Sequence, residues 1–236
     1  MPRFQVAVDD CDLAPAEFAM GKSEPMVVAR NGTVYGQVFR VEGGIELHFY
    51  HLWATDCGRV RHALDAEYVA GLLRYEAGEW RAKYWYTAAH ENTVCDASAG
   101  AQAARIFAEW RGPEVWISRG KHASFLTEAA CHAGCGSDRC DQSQAMQVRQ
   151  LINLGEIGAP MNGADWVGST AWALGEKLKS NFSSELLEEL DRSKGVIAVS
   201  SVRPGVKPVI GAASSTMDAI DRASRAVKSW LWRRLD

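Results

Sequence analysis

Between residues 45 and 54 the chain alternates strictly. Ile45, Leu47, Phe49, His51 and Trp53 fall on one side of an extended chain, and Glu46, His48, Tyr50 and Leu52 on the other. A two-residue period of this kind marks a β-strand. Upstream, Phe4 to Val8 reads as a short strand, followed by a loop through Asp9-Asp10-Cys11-Asp12 and Pro15. Met26 to Arg30 and Thr33 to Val41 flank Asn31-Gly32, the pairing expected of a two-residue type I′ hairpin. Glu42-Gly43-Gly44 supplies the next turn, so three meandering antiparallel strands are predicted. Leu64 to Tyr75 continues as a strand apolar on both sides. Glu76-Ala77-Gly78-Glu79 turns it into Trp80 to Ala89, whose alternation places Trp80, Ala82, Tyr84 and Tyr86 on one face.

The period then changes. Asp96 is placed to cap an alanine-rich helix over Ala97 to Trp110, which Gly112-Pro113 ends. A buried strand at Glu114 to Ser118 and a helix at Ser124 to His132 follow. Beyond Asn153 the expectation is loops with helices near Thr170 to Lys179 and Ser184 to Arg192, and a strand at Val196 to Val202. The final helix, Met217 to Leu235, carries Asp218 and Asp221 near its start and Lys228, Arg233 and Arg234 near its end, complementing the helix dipole. Its stripe of Met217, Ile220, Val227 and Leu231 suits docking on the domain, and Trp230 and Trp232 with the arginines suit a membrane surface. The pattern as a whole predicts an α+β protein, mainly an antiparallel β-sandwich with flanking and inserted helices and a C-terminal amphipathic helix. No linker or repeat divides it, so residues 1–236 read as a single domain. Residues 1–140 form the sandwich core carrying the site, and 141–236 a loop- and helix-rich completion.

Composition narrows the function classes. Of 236 residues, 26 are Lys or Arg and 29 Asp or Glu, a net charge of -3 with no basic run, which argues against nucleic acid as a partner. Apolar runs such as Met26-Val27-Val28-Ala29 fall far short of the roughly 20 residues that integral membrane insertion requires. Oligomeric state leaves no mark in the sequence. Six cysteines, at 11, 57, 95, 131, 135 and 140, lack the paired C-x2-C spacing of zinc ribbons. They suit a disulfide framework; reduced buried thiols and a metal site including His132 are the alternatives. The disulfide reading places the protein in a secreted or periplasmic setting, although Met1-Pro-Arg-Phe-Gln opens no apolar export signal.

The candidate chemistry concentrates at Asp56-Cys57-Gly58-Arg59-Val60-Arg61-His62-Ala63-Leu64-Asp65-Ala66-Glu67. On a strand Asp65 and Glu67 share a face, about 7 Å apart. That face continues into Val69 and Leu73, so two carboxylates point into an apolar layer and need cations or donors. His62 joins them if the loop turns it inward, and Asp56 closes the group. Three carboxylates and one imidazole suit a divalent metal ion, with Mg²⁺, Ca²⁺ or Mn²⁺ favoured by the oxygens and Zn²⁺ or iron by a second histidine. Alternatively, Arg59, Arg61 and Arg105 pair the same acids as a salt-bridge network. His90 and Glu91 at one strand end and His122 at another are the candidate catalytic groups. Standard hydrolase and nucleotide motifs are missing: His90-Glu91-Asn92-Thr93-Val94 lacks the second histidine of H-E-x-x-H, and neither G-x-S-x-G nor G-x-G-x-x-G occurs.

His62-x-x-Asp65-x-Glu67 with Asp56 ahead of it resembles the H-x-x-D-x-E loop of the necrosis- and ethylene-inducing peptide-like cytolysins. That resemblance implies a β-sandwich with flanking helices, and an Asp, His, Asp and Glu set holding a cation that helps engage a sphingolipid sugar head group. Ser118-Arg119-Gly120-Lys121-His122-Ala123-Ser124-Phe125 is similar to the G-S-H-A-x-Y/F segment of vacuolar-protein-sorting-related proteins. The whole looks most like a bacterial branch of these families. Ala66 stands where the cytolysins have Trp, and Lys121 where the second motif has Ser, so cytolytic activity does not carry over.

Three function classes follow. The first is a divalent-metal-dependent protein that binds a glycan, a lipid head group or another small polar ligand. The second is a metal-assisted hydrolase with Glu91 or His122 as base. The third is a disulfide-stapled structural or interaction domain.

Overall fold

The computed structural model describes residues 1–19, 22, 24–58, 61–89, 101–104, 112–132, 138–156, 159–160, 180–182, 184 and 187–188. Its strands are β1 (Arg3–Ala7), β2 (Glu17–Phe18), β3 (Val27–Ala29), β4 (Thr33–Val41), β5 (Gly44–Asp56), β6 (His62–Glu76), β7 (Glu79–Ala88), β8 (Ala101–Ala104), β9 (Glu114–Ile117) and β10 (Ser124–Phe125). After a short helix, α1 (Glu128–His132), come β11 (Ser143–Ala145), β12 (Gln150–Glu156) and β13 (Ala159–Pro160). The described chain is β-rich. None of its helices is long and apolar enough to cross a membrane.

Two sheets face each other. The larger has seven strands in the order β13-β12-β4-β5-β6-β7-β8, and the smaller has four in the order β10-β9-β1-β11. Most neighbours are antiparallel; β1 with β9 and β12 with β4 are parallel. Phe4, Val6, Val115 and Ile117 of the small sheet meet Val34, Trp53, Val69 and Trp85 of the large one, and this layer is the inter-sheet core. The opposite face of the large sheet carries Tyr35, Tyr50, Leu52, Tyr68 and Leu72, covered by Ala16, Phe18 and Phe182. Both faces of β5 and β6 are therefore buried. Long apolar strands with polar residues on neither side exposed are the sequence consequence of that position.

Four expectations change. The Asn31-Gly32 turn does not join β3 to β4: β3 pairs with β2, and β4 lies between β5 and β12. The Gly32 N–H donates to Pro15 O and its carbonyl accepts the Arg149 N–H, so the bonds of a hairpin turn are taken by other segments. The predicted helix at Ala97 to Trp110 contains a strand instead, because β8 pairs along β7 from Trp85↔Ala104 to Ala88↔Ala101. Alanine's helix preference, a few tenths of a kcal/mol over most residues, yields to completing an open ladder. Trp80, Ala82, Tyr84 and Tyr86 do not share a face. Leu72 pairs with Tyr84 and Leu73 with Ala82, so Lys83 is an extra residue on β7. Tyr84 and Tyr86 thus join the outer core, while Ala82 lies against the inter-sheet core. Finally, Ser124 and Phe125 pair with β9, and the helix starts only at Glu128.

Residues 143–156 add a strand to each sheet. The predicted helix at Thr170 to Lys179, most of that at Ser184 to Arg192, the strand at Val196 to Val202 and the helix at Met217 to Leu235 lie outside the described residues.

Candidate functional site

The alternation of β6 places Asp65, Glu67 and Val69 on the inter-sheet face, with Asp65 opposite Trp53 and Glu67 opposite His51 on β5. Here β5 ends and β6 begins, so the two acids stand at one mouth of the sandwich. The loop between β9 and β10 closes the mouth from the other sheet and brings His122 to it. That loop is tied on several sides: Ser118 N–H to Ala123 O, His122 N–H to Ser118 O, and Cys57 N–H to Gly120 O at 2.7 Å. The Cys11–Cys57 disulfide joins the loop after β1 to the end of β5 and so delivers Asp10 to the same place.

His122 is fully buried, with Nδ1 3.3 Å from Asp65 Oδ2 and Nε2 3.6 Å from Asp10 Oδ1. Its ring stacks on Trp53 at 4.0 Å and 6°. Burial alone would lower the imidazole pKa, but Asp10 and Asp65 outweigh it and raise it to about 9. The ring is therefore a cation at neutral pH, lying over an indole face where a cation is favoured. The backbone of His122 has φ 54°, a conformation that costs a side-chain-bearing residue roughly 1–3 kcal/mol and that the surrounding contacts sustain. Burial pushes the Asp10 carboxyl up, and His122 with the Gly120 and Cys11 amides brings it below its ordinary value. Gly120, at φ 74°, presents its N–H 3.0 Å from both Asp10 oxygens.

Around this centre stand further pairs. Asp56 accepts the Gly58 N–H at 2.6 Å and faces His62 Nε2 at 3.4 Å. Asp138 accepts from Ser118 Oγ at 2.7 Å and lies 3.4 Å from Lys121 Nζ. Asp12 accepts the Ala54 N–H at 3.1 Å, and burial raises its pKa despite Arg30 nearby. The open rim is made by His62, Asp56 and Asp65, whose side chains are 51%, 15% and 11% exposed, while Asp10 and Glu67 are buried behind it.

Of the residues singled out in the sequence, Asp56, His62, Asp65 and Glu67 lie on the paired ends of β5 and β6, with Asp56 and His62 in direct register. Asp65 joins His122, and Asp56 joins His62. Among the described residues, ligand atoms of three such groups come within 4.8 Å of one another at Asp10, Cys11 and Cys57, where the two sulfurs are bonded to each other and only Asp10 offers a donor. Arg61 is exposed and makes no ion pair among the described residues; Arg59 and Arg105 lie outside them, as do His90 and Glu91. Cys131 and Cys140 form a second disulfide, no described cysteine is free, and Cys95 and Cys135 are not described.

Asp10 and Trp53 were not predicted at the site. The signal for Asp10 was its position beside Cys11, but it becomes legible only once Cys11 is known to pair with Cys57, one of several possible connectivities. A serine and a histidine also meet here without forming a nucleophile. Trp53 Nε1 donates to His51 Nδ1 at 2.8 Å, so His51 Nε2 carries the proton and donates to Ser124 Oγ at 2.9 Å. His51 cannot then act as a base toward Ser124, and both are fully buried.

No family model and no curated protein matches the chain by sequence. Among solved structures, the chain is similar to NLPPya in complex with mannosamine, at 16% identity and a TM-score of 0.43, over 81% of this chain and 84% of that one. It is also similar to necrosis and ethylene inducing protein 2 from the causal agent of cocoa's witches' broom disease, at 13% identity and a TM-score of 0.48, over 80% and 85% of the two chains. The non-toxic HaNLP3 protein follows at 12% identity and a TM-score of 0.33, over 81% and 85%. These structures carry the name of the family that the H-x-x-D-x-E motif resembles. At such identities no residue's role is transferred from them.

Proposed function

We propose that the mouth binds a hydroxyl-rich polar ligand, a glycan or a glycosylated head group, through a divalent cation held by Asp56, His62, Asp65 and Glu67. The observation that carries this reading is the register of β5 and β6. It sets an acid and an imidazole opposite each other at the rim and puts two more acids on the adjoining inter-sheet face. The donor types suit a hard cation, since three of four side chains offer carboxylate oxygen, and partial exposure of three of them leaves ligand access; no three of these ligand atoms lie within 4.8 Å of one another, so a cation would have to draw them together. A bound cation would supply positive charge that ligand hydroxyls can coordinate. The chain's own residues fix the frame: the Asp10 and His122 pair holds Asp65 from behind, and Trp53 backs the imidazole.

Binding is favoured over hydrolysis by the state of His122. Its ring is fully buried, with Nδ1 facing Asp65 and Nε2 facing Asp10, so neither nitrogen is open to activate a water. The two disulfides among the described residues agree with an oxidising, extracytoplasmic setting for this activity.

Metal content of purified protein and calorimetric titration with Ca²⁺, Mg²⁺ and Mn²⁺ test the proposal. One ion per chain, lost in Asp65→Asn and in Glu67→Gln, is expected. Equal binding by wild type and both variants, or no binding at all, would leave the acids as a structural ion-pair cluster and overturn it.

A further inference from the structure

A second concavity adjoins Asp12, the acid that pairs with Arg30 in its wall. It encloses about 400 Å³ between the loop after β1, the entry to β4 and the segment linking β11 to β12. Its polar lining is one-sided in charge. Arg30 and Arg149 both line it, with Asn31, Gln144 and Gln147, and among the described residues no carboxylate lines it. Among the described residues Arg30 has a single ionic partner, Asp12, at 3.8 Å through Nε, which leaves the two terminal nitrogens of its fork for another acceptor. Arg149 has no ion pair among the described residues, in a chain whose net charge is -3.

The wall is held in place before any ligand arrives. Gly32 donates to Pro15 O at 3.0 Å and accepts from Arg149 N–H at 3.1 Å, which ties all three segments at one point. The Asn31 amide donates to Glu17 at 2.7 Å and accepts from Thr33 at 2.6 Å. At Gly32, φ is 80° and a Cβ would lie 2.1 Å from Gln147 O, so no other residue allows this approach. Two planar guanidiniums on a fixed frame suit a carboxylate, sulfate or phosphate, which they contact by charge-assisted, paired hydrogen bonds. Ordering costs are small where the frame is already tied.

We infer that this cavity is an anion subsite, taking an oxyanion either free or carried on a sugar, and that it works independently of the cation proposed at the mouth. The test is titration of the full chain in chelator-containing buffer with sodium glucuronate, with inorganic sulfate, and with glucose as the neutral probe. Saturable binding of glucuronate or sulfate but not glucose is expected. Glucuronate the tighter identifies a sugar-borne anion, and sulfate the tighter a free one. The double variant Arg30→Gln/Arg149→Gln should weaken binding at least about tenfold. Gln144→Glu, which adds an acid to an exposed position, should do the same, and Asp65→Asn should leave it unchanged. Equal affinity for glucose, absence of saturation, or wild-type affinity in both cavity variants would overturn the inference. Loss of binding in Asp65→Asn would assign the anion to the mouth instead and also overturn it.

Discussion

Two buried histidines, His122 and His48, lie on opposite sides of the large sheet, each beside acidic and aromatic partners, and they are built to different standards. His48 Nε2 donates to Glu46 Oε1 at 2.6 Å, and its Nδ1 accepts from Tyr50 Oη at 2.9 Å. The Glu46 carboxylate also accepts from Ser180 Oγ at 2.5 Å and from the Asn181 N–H at 2.8 Å, while Asn181 donates to Tyr68 Oη at 2.6 Å. Every contact is short. At the mouth, the contacts of His122 are 3.3 and 3.6 Å, and Asp65 reaches solvent. A buried histidine with acidic and aromatic partners thus makes a closed brace in one place and a frame with slack in the other. A network of short contacts stabilises the fold; one with long contacts and an open rim has groups left to engage something else.

Breaking the brace should have the largest effect. Glu46→Ala strands His48, Ser180 and Asn181 without an acceptor, and should cost about 3–5 kcal/mol in urea denaturation. Burial pushes the Glu46 carboxyl up, but His48, Ser180 and Asn181 together hold it below 4.5. Its contribution is therefore present above pH 4.5 and lost as pH falls through the lower folded value. An unfolding profile of Glu46→Gln that keeps the full wild-type acid limb contradicts the brace.

Next comes His122 in chelated protein. Its folded pKa of about 9 exceeds the ordinary 6.5, so its stabilisation is complete below pH 6.5 and disappears as pH rises through about 9. The gap between wild type and His122→Gln should be about 3 kcal/mol at pH 6 and narrow steadily toward pH 9. A gap independent of pH would mean that the imidazole is not charged in the fold.

Asp65→Asn should cost about 2 kcal/mol, because one charge-assisted contact to His122 is lost while Asp10 remains as its second carboxylate. Stabilisation by added divalent cation, measured as a shift in Tm, should vanish in Asp65→Asn and survive in Glu46→Gln. The reverse result would exchange the roles of the two networks. Smallest of all, Ser124→Ala removes one hydrogen bond from His51 and should cost about 1 kcal/mol without altering cation binding.

The sequence carried the central strands well because a period of two is visible wherever both faces of a strand are filled by distinct residues, as at Ile45 to Ala54. It carried the inward face of Asp65 and Glu67 for the same reason. Local turn chemistry misled at Asn31-Gly32, where the partners that fix the turn, Pro15 and Arg149, are distant along the chain. The bulge at Lys83 and the strand at Ala101–Ala104 are likewise decided by a neighbouring strand, and no local window contains that neighbour. Asp10 came to the mouth through a covalent cross-link between loops, and Trp53 became part of the site through His122, which a loop 69 residues away supplies.

The stack of Trp53 on His122 also gives the mouth an intrinsic optical signal. A protonated imidazole in parallel contact with an indole quenches its emission, and the indole N–H is already committed to His51. Loss of the proton, or any shift of the ring as Asp65 turns toward an arriving cation, should brighten Trp53. The difference spectrum between wild type and Trp53→Phe isolates that change from the other eight tryptophans. Occupancy of the mouth can thus be followed by the light of a side chain that never meets solvent.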